Sequence, residues 1–189
     1  MISAILLAAG QSKRMEGENK LIKKIQGIPL IKLSVKNILA SSISELVIVL
    51  GHQKEIIEKL IDENKKIKIV FNKDFEKGMA TSIKTGIKNL SKETEAFFIC
   101  LGDMPMVNKD IFNLLIKSKN NKEIIVPTYK NKQSNPILFS KSMIKKIMTI
   151  QGDVGAKKIL ELNKDKILDI ETNDQAITKN FNTLSDFNS

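Results

Sequence analysis

Three stretches of this chain hold residue types suited to chemistry on phosphates. The first follows an apolar run, Ile2 to Leu7: the chain breaks at Ala8, Ala9 and Gly10 into a polar loop that holds Ser12, Arg14 and Lys20. Small residues at a strand exit let backbone N–H groups come close to an anion, and an Arg and a Lys behind them neutralise a polyphosphate. The second is Leu101-Gly102-Asp103-Met104-Pro105, which puts a carboxylate where the backbone turns sharply out of a strand. Mg²⁺ takes hard oxygen ligands, binding through one or two protein carboxylates while water and phosphate oxygens fill its other positions. An Asp there can instead simply cap the next turn. The opening loop at a neighbouring strand end favours the metal reading. The third stretch is Gly78-Met79-x-x-Ser82, where backbone amides and a hydroxyl either face the same mouth or merely start a helix.

Two later segments, Asn135-Pro136-Ile137-Leu138-Phe139 and Gly152-Asp153-x-Gly155-Ala156, add polar groups, although Asp153 would serve equally as a helix N-cap. Gly51 suits either a base lying against backbone or a tight turn. His52, the only histidine, has no nucleophile pattern around it, which disfavours a Ser/His/Asp arrangement. With one Cys and one His, zinc coordination is nearly excluded. The first strand is followed by no Gly-x-Gly-x-x-Gly, and the chain has no Gly-Lys-Ser/Thr, so dinucleotide and Walker-type sites are disfavoured.

These loops need a frame, and the hydrophobic pattern supplies one. Ile2 to Leu7, Leu46 to Leu50, Ile67 to Phe71, Ala96 to Leu101 and Ile124 to Val126 read as buried strands. Helical spacing between them groups Ile31, Val35 and Ile38; Ile56, Ile57, Leu60 and Ile61; Met79, Ile83, Ile87 and Leu90; and Ile111, Leu114 and Leu115 behind the N-cap candidate Asn108. After Val126 come a short strand, Ile137 to Phe139, and helices near Met143 to Met148 and Val154 to Leu162. The alternation predicts an α/β fold of three layers: a mainly parallel twisted sheet with helices on both faces and ligands beyond the carboxyl ends of the strands. One domain over 1–189 is expected, with an insertion around 127–162 on the acceptor side of the site. No repeat or linker divides the chain.

Composition narrows the partners. At 189 residues and 42% hydrophobic, the chain suits one well-cored domain. Its apolar runs fall far short of the roughly 20 residues that cross a bilayer, so a cytoplasmic protein without membrane contact is expected. The single Cys100 lies in an apolar run and rules out an internal disulfide. The net charge of +10 suits anionic ligands, but the lysines are scattered, as at Lys65-Lys66 and Lys145-Lys146, which argues against nucleic acid.

The stretch Leu7-Ala8-Ala9-Gly10-x-Ser12-x-Arg14-Met15, with Lys20-Leu21 after it, resembles the opening motif of nucleotidyltransferases of the molybdenum cofactor cytidylyltransferase type. The other segments follow in that family's order, so the resemblance spans nearly the whole chain. It implies a Rossmann-like nucleotidyltransferase fold and Mg²⁺-dependent transfer of CMP from CTP to the terminal phosphate of molybdopterin cofactor, with release of pyrophosphate. Ala8-Ala9-Gly10, rather than a form with two glycines, resembles the cytidine branch more than the guanylyltransferase branch. The implied roles are catalytic for Arg14, Lys20 and Asp103, nucleotide-binding for Leu7, Ala8, Ala9, Gly10, Ser12, Gly51, Asn72, Gly78 and Ser82, metal-binding for Asp103 and Asn182, and acceptor-binding for Asn135 and Asp153. Asn182 falls in Asn180-Phe181-Asn182-Thr183-Leu184-Ser185-Asp186-Phe187, which resembles the family's closing motif. The chain departs from the pattern at Glu16 and Ser134, where glycine is usual, at Leu184, where proline is usual, and at Asn182, an amide where the cytidine branch has Asp. Two other readings stay open. One is a nucleotidyltransferase for another phosphorylated acceptor such as a sugar phosphate; the other is a non-catalytic carrier of nucleotide or cofactor for a molybdenum hydroxylase.

Overall fold

Seven residues without a charge, β1 (Ile2–Ala8), form the central strand, and Ala4, Ile5 and Leu6 in it have no solvent exposure. A strand buried on both sides reads as a continuous apolar run because helices cover both faces of a parallel sheet. The computed structural model describes residues 1–12, 15 and 18–187, so Arg14 and Glu16 lie outside the described residues.

After β1, a short antiparallel pair, β2 (Lys24–Ile25) and β3 (Ile28–Pro29), leads into helix α1 (Leu30–Leu39). Then follow β4 (Glu45–Leu50), α2 (Lys54–Glu58), β5 (Ile67–Phe71), α3 (Met79–Lys88), β6 (Ala96–Leu101) and α4 (Lys109–Lys117). The last third contains β7 (Ile124–Tyr129), β8 (Lys132–Gln133), β9 (Ile137–Ser140), α5 (Ile144–Ile147), α6 (Ala156–Glu161) and β10 (Ile167–Glu171). The sheet runs β10-β7-β9-β6-β1-β4-β5, with β8 paired to β7. All contacts are parallel except those of β9 with β6 and β7 and of β8 with β7.

Alternate residues of the strands feed two cores. Ala4, Leu6, Leu46, Ile48 and Phe98 meet α1, α2 and α4 on one face; Ile5, Val47, Val49, Phe97 and Ile99 meet α3, α5 and α6 on the other. This is the three-layer arrangement expected from the alternation of patterns. Helix α4 shows how locally it is encoded: the Asn108 side chain accepts from the backbone N–H groups of Asp110 and Ile111, and Ile111, Phe112 and Leu115 turn inward. Leu114, expected on that buried face, is 37% exposed.

Three elements differ from the sequence expectation. The second helix ends at Glu58, with Ile57 buried and Ile56 48% exposed, so the four-residue apolar face is only partly used. The β2–β3 pair, which turns through Gln26 and Gly27 at positive φ, and the edge strand β10 were both unexpected. No helix among the described residues is long and apolar enough to cross a membrane.

Candidate active site

Strands β1, β4 and β5 are laid down in turn in one direction across the sheet, and the chain then crosses back to place β6 on the other side of β1. In such sheets the loops on either side of the reversal separate and leave a crevice beyond the carboxyl ends of the strands. Here the register puts Leu7 of β1 opposite Leu101 of β6 and Ala8 opposite Leu50 of β4, so the exits leave the sheet at one level. A cleft of about 510 Å³ opens there.

Its floor is the loop after β1. Ala8 and Ala9 are almost fully buried, and the Ala9 carbonyl accepts from the His52 N–H at 3.2 Å. Gly10 is exposed to the cleft, its φ lies outside the left-handed region, and a Cβ added to it would meet nothing within 4 Å among the described residues. Neither backbone conformation nor protein packing requires glycine there; the open space beside it suits a ligand lying against the backbone. Ser12 ties the loop together: its Oγ accepts from the Lys20 N–H at 3.2 Å and its carbonyl accepts from the Met15 N–H at 2.8 Å.

At one end the cleft gathers charge. The Lys20 ammonium lies 2.5 Å from Asp103 Oδ2 and 2.9 Å from Asn182 Oδ1, and the lysine and aspartate side chains are only 18% and 13% exposed. Asp103 Oδ1 is buried and has no hydrogen-bond partner among the described residues. The backbone before Asp103 is pinned twice: the Gly102 N–H donates to Leu7 O at 3.0 Å, and Ser34 Oγ donates to the Gly102 carbonyl, also at 3.0 Å. The Asp103 carbonyl accepts from the Phe181 N–H at 2.9 Å, which draws the last segment of the chain to the site. Asp186 Oδ2 then accepts from the Asn182 and Thr183 N–H groups, each at 2.8 Å, and the Phe181 and Phe187 rings pack edge to face at 5.2 Å. The Asp186 carboxylate thus shapes this turn.

An orphaned buried carboxylate oxygen beside an amide oxygen is a donor set that suits a hard, oxygen-seeking cation completing its shell from water and phosphates. Among the described residues no group of three or more His, Cys, Asp or Glu is placed to hold a metal, so a cage made wholly of protein is not available.

The facing wall is the start of α3. Gly78 has φ +107°, and a Cβ on it would lie 2.4 Å from the Gly152 carbonyl carbon and 2.5 Å from Asp153 N. That close approach lets the 152–153 turn cap α3: the Ala80 N–H donates to Gly152 O at 3.1 Å and the Met79 N–H to Asp153 Oδ1 at 3.3 Å. Asp153 therefore caps α3, not α6, which has Gly155 at its own N-cap position. Ser82 lines the cleft, and its Oγ accepts from Asn72 Nδ2 at 2.9 Å.

Of the predicted residues, Leu7, Ala8, Ala9, Gly10, Ser12, Lys20, Gly78, Ser82, Asp103, Asp153 and Asn182 all line this one cleft. Three do not. Asn72 is 3% exposed and stands behind the wall, bracing Thr81 and Ser82 and accepting from the Asp74 N–H. Gly51 backs the floor: a Cβ there would lie 2.7 Å from both Ala9 O and Phe75 Cβ, so packing accounts for the glycine. Asn135 borders a separate, small pocket with Ser34, Cys100 and Phe112. Sequence reasoning missed Gln11 and the turn Phe75–Lys77, which line the cleft and are bridged by a 3.3 Å hydrogen bond from Gln11 Nε2 to Glu76 Oε1. The turn carries no local motif, and only the return of the chain after β5 brings it to the mouth.

Known proteins share both the sequence and this architecture. The chain is 30% identical over 186 residues to the molybdenum cofactor cytidylyltransferase of Escherichia coli, covering 94% of each chain. It is 26% identical to a probable molybdenum cofactor guanylyltransferase of Methanosarcina mazei, covering 77% of this chain and 66% of the relative. The crystal structure of Rv0371c from Mycobacterium tuberculosis superposes with a TM-score of 0.87 over 99% of this chain and 95% of that one, at 19% identity, and so shares the fold. The MobA-like NTP transferase domain matches residues 4–168, a span that begins in β1 and ends in β10 and takes in both the floor and the Asp103 corner of the cleft. The chain belongs to that family and is a nucleotidyltransferase.

Proposed function

We propose that this enzyme transfers CMP from CTP to the terminal phosphate of molybdopterin cofactor in a Mg²⁺-dependent reaction that releases pyrophosphate. The observation that carries the reading is the corner made by Lys20, Asp103 and Asn182 beside the open backbone of Gly10, which offers cationic and metal-binding groups next to a seat for a nucleotide. The cytidine and molybdopterin assignments are supported by the Ala8-Ala9-Gly10 form of the loop and by the name of the relative matched over 94% of its length.

The Ala8–Gly10 backbone and Ser82 seat the nucleotide, and the Asp103 carboxylate and Asn182 amide oxygen hold the ion. When bound, Mg²⁺ neutralises and orients phosphate oxygens. Lys20, joined by Arg14 of the same loop, offsets the charge that gathers on the departing pyrophosphate. An oxygen of the acceptor phosphate attacks the α-phosphorus; the new P–O bond forms as the bond to the β-phosphate oxygen breaks, and the electron pair leaves with pyrophosphate. The acceptor is already ionised, so no side chain has to remove a proton. Positioning and charge neutralisation make up the catalysis. Residues 127–162 carry the acceptor side, and the reaction takes place in the cytoplasm.

The test is pyrophosphate release from each of the four ribonucleoside triphosphates with Mg²⁺, with and without molybdopterin cofactor, using Asp103→Ala as the control. Release from CTP that needs both the cofactor and Asp103 is expected. Full turnover by a folded Asp103→Ala protein would remove the metal assignment; binding of CTP without turnover would favour another acceptor or a carrier.

A further inference from the structure

We infer that Lys20 closes the cation seat in the absence of nucleotide and gives it up when a polyphosphate arrives, so that metal and nucleotide bind as a coupled pair. The inference rests on the proposed metal roles of Asp103 and Asn182. Its basis is geometric. The ammonium touches Asp103 Oδ2 and Asn182 Oδ1 at once, at 2.5 and 2.9 Å, and so occupies the point between the two oxygens that a shared cation needs. Mg²⁺ binds oxygen at about 2.1 Å. An ion held between Asp103 Oδ2 and Asn182 Oδ1 would stand on top of Nζ, where steric overlap and like-charge repulsion in a half-buried corner exclude it.

The pair is arranged to be exchanged rather than to be permanent. Asp103 Oδ1 is buried with no partner among the described residues, so Lys20 satisfies only part of the carboxylate's capacity. The lysine backbone is fixed to the loop by its N–H bond to Ser12 Oγ, which leaves the flexible four-carbon stem to carry the ammonium elsewhere. The same cleft offers it open space over Gly10, on the same loop. A polyphosphate there offers the ammonium more negative charge than one carboxylate does, and its departure frees both oxygens for the ion. By linkage, whatever the nucleotide gains from releasing the lysine, the metal gains equally. Lys20 thus acts on metal binding by occupying the seat, a role separate from any contact it makes with the phosphates.

The experiment titrates Mn²⁺, as a spectroscopic substitute for Mg²⁺, into the nucleotide-free protein, with free Mn²⁺ read by electron paramagnetic resonance and the protein's melting temperature followed in parallel. Lys20→Met removes the charge. Lys20→Gln removes the charge but keeps a donor for Asp103, which guards against misfolding from a bare buried carboxylate. Both variants are expected to bind Mn²⁺ about tenfold or more tightly than the natural protein and to gain melting temperature on its addition, and adding Asp103→Asn to Lys20→Gln should abolish the gain. Equal or weaker Mn²⁺ binding in the folded Lys20 variants overturns the inference. If the natural enzyme then still turns over CTP in an Asp103-dependent way, the functional reading stands without it. Tight binding that survives Asp103→Asn puts the ion elsewhere and overturns both.

Discussion

Replacing Gly78 by alanine and replacing Gly10 by alanine are the same chemical change at opposite walls of the cleft, and the structure assigns them opposite consequences. Gly78 has φ 107° and ψ 170°, a region essentially reserved for glycine, so a side chain there costs about 1–3 kcal/mol in backbone strain. Its Cβ would also meet backbone atoms of Gly152 and Asp153 at 2.4 to 2.5 Å, so the turn has to retreat. Retreat loosens the Ala80 bond to Gly152 and the Met79 bond to the Asp153 carboxylate, at about 1 kcal/mol each. The total is about 3–5 kcal/mol. At about 2–4 °C per kcal/mol for a chain of this length, the melting temperature should fall by about 6–20 °C. Gly10→Ala meets no protein atom and needs no unusual φ, so its melting temperature should stay within about 2 °C of the natural protein's. Its methyl group enters the space proposed for nucleotide, and affinity for CTP should fall at least about tenfold, equivalent to about 1.4 kcal/mol. Differential scanning fluorimetry gives the first quantity and calorimetric titration with CTP the second. Unchanged CTP affinity in Gly10→Ala would refute the nucleotide seat, and an unshifted melting temperature in Gly78→Ala would refute the packing argument.

Other outcomes follow from single contacts. Asn72→Ala leaves the Thr81 and Ser82 hydroxyls without their amide donor and should cost about 1–3 kcal/mol in urea unfolding while raising KM for nucleotide; a change in neither would mean that the brace is dispensable. Burial pushes the Cys100 thiol well above its ordinary pKa, so the folded protein should resist iodoacetamide at about pH 8 and label fully in denaturant; rapid labelling of the native protein would contradict the buried placement. Lys166 and Ser142 donate to the Glu123 carboxylate and hold its pKa below the usual range. A carboxylate whose folded pKa is depressed stabilises the fold above its unfolded pKa of about 4.3 and loses that contribution as the pH falls through the folded value. Glu123→Gln should therefore show a shallower acid loss of stability below about pH 4.5, and an identical acid profile would remove this pair from the balance.

The elements legible in the sequence were those whose burial leaves a continuous signature. β1, β4 and β6 are covered on both faces, so unbroken apolar runs report them directly. β10 reads Ile-Leu-Asp-Ile-Glu and is only half-buried at the sheet edge, where charges at alternate positions hide it. Helix α2 was overextended because Leu60 and Ile61 keep a helical spacing after the hydrogen bonding has ended. At the site, residues at strand exits were readable since topology alone sends them to the mouth. What the sequence could not give were partners far along the chain: Asp153 caps a helix that starts 74 residues earlier, and Lys20 meets Asp103 across 83 residues. Local rules see a helix N-cap or a phosphate ligand in these residues, and only the closed sheet reveals whom they touch.

The segment that brings Asn182 to the cleft also sets how the enzyme should fail. Among the described residues it is held by one backbone bond to Asp103, by the Lys20 bond to Asn182, by the clamp of Asp186 on its own turn and by the packing of Phe181 against Phe187 and the core, whereas β1 is fixed by ladders on both sides. Regions with few tertiary anchors open at a small fraction of the free energy that unfolds the whole. On gentle warming this strap should detach while circular dichroism still records an intact sheet, taking half of the cation seat with it. Inactivation would then precede melting and reverse on cooling, and the amides of residues 181–186 would exchange with heavy water long before those of β1.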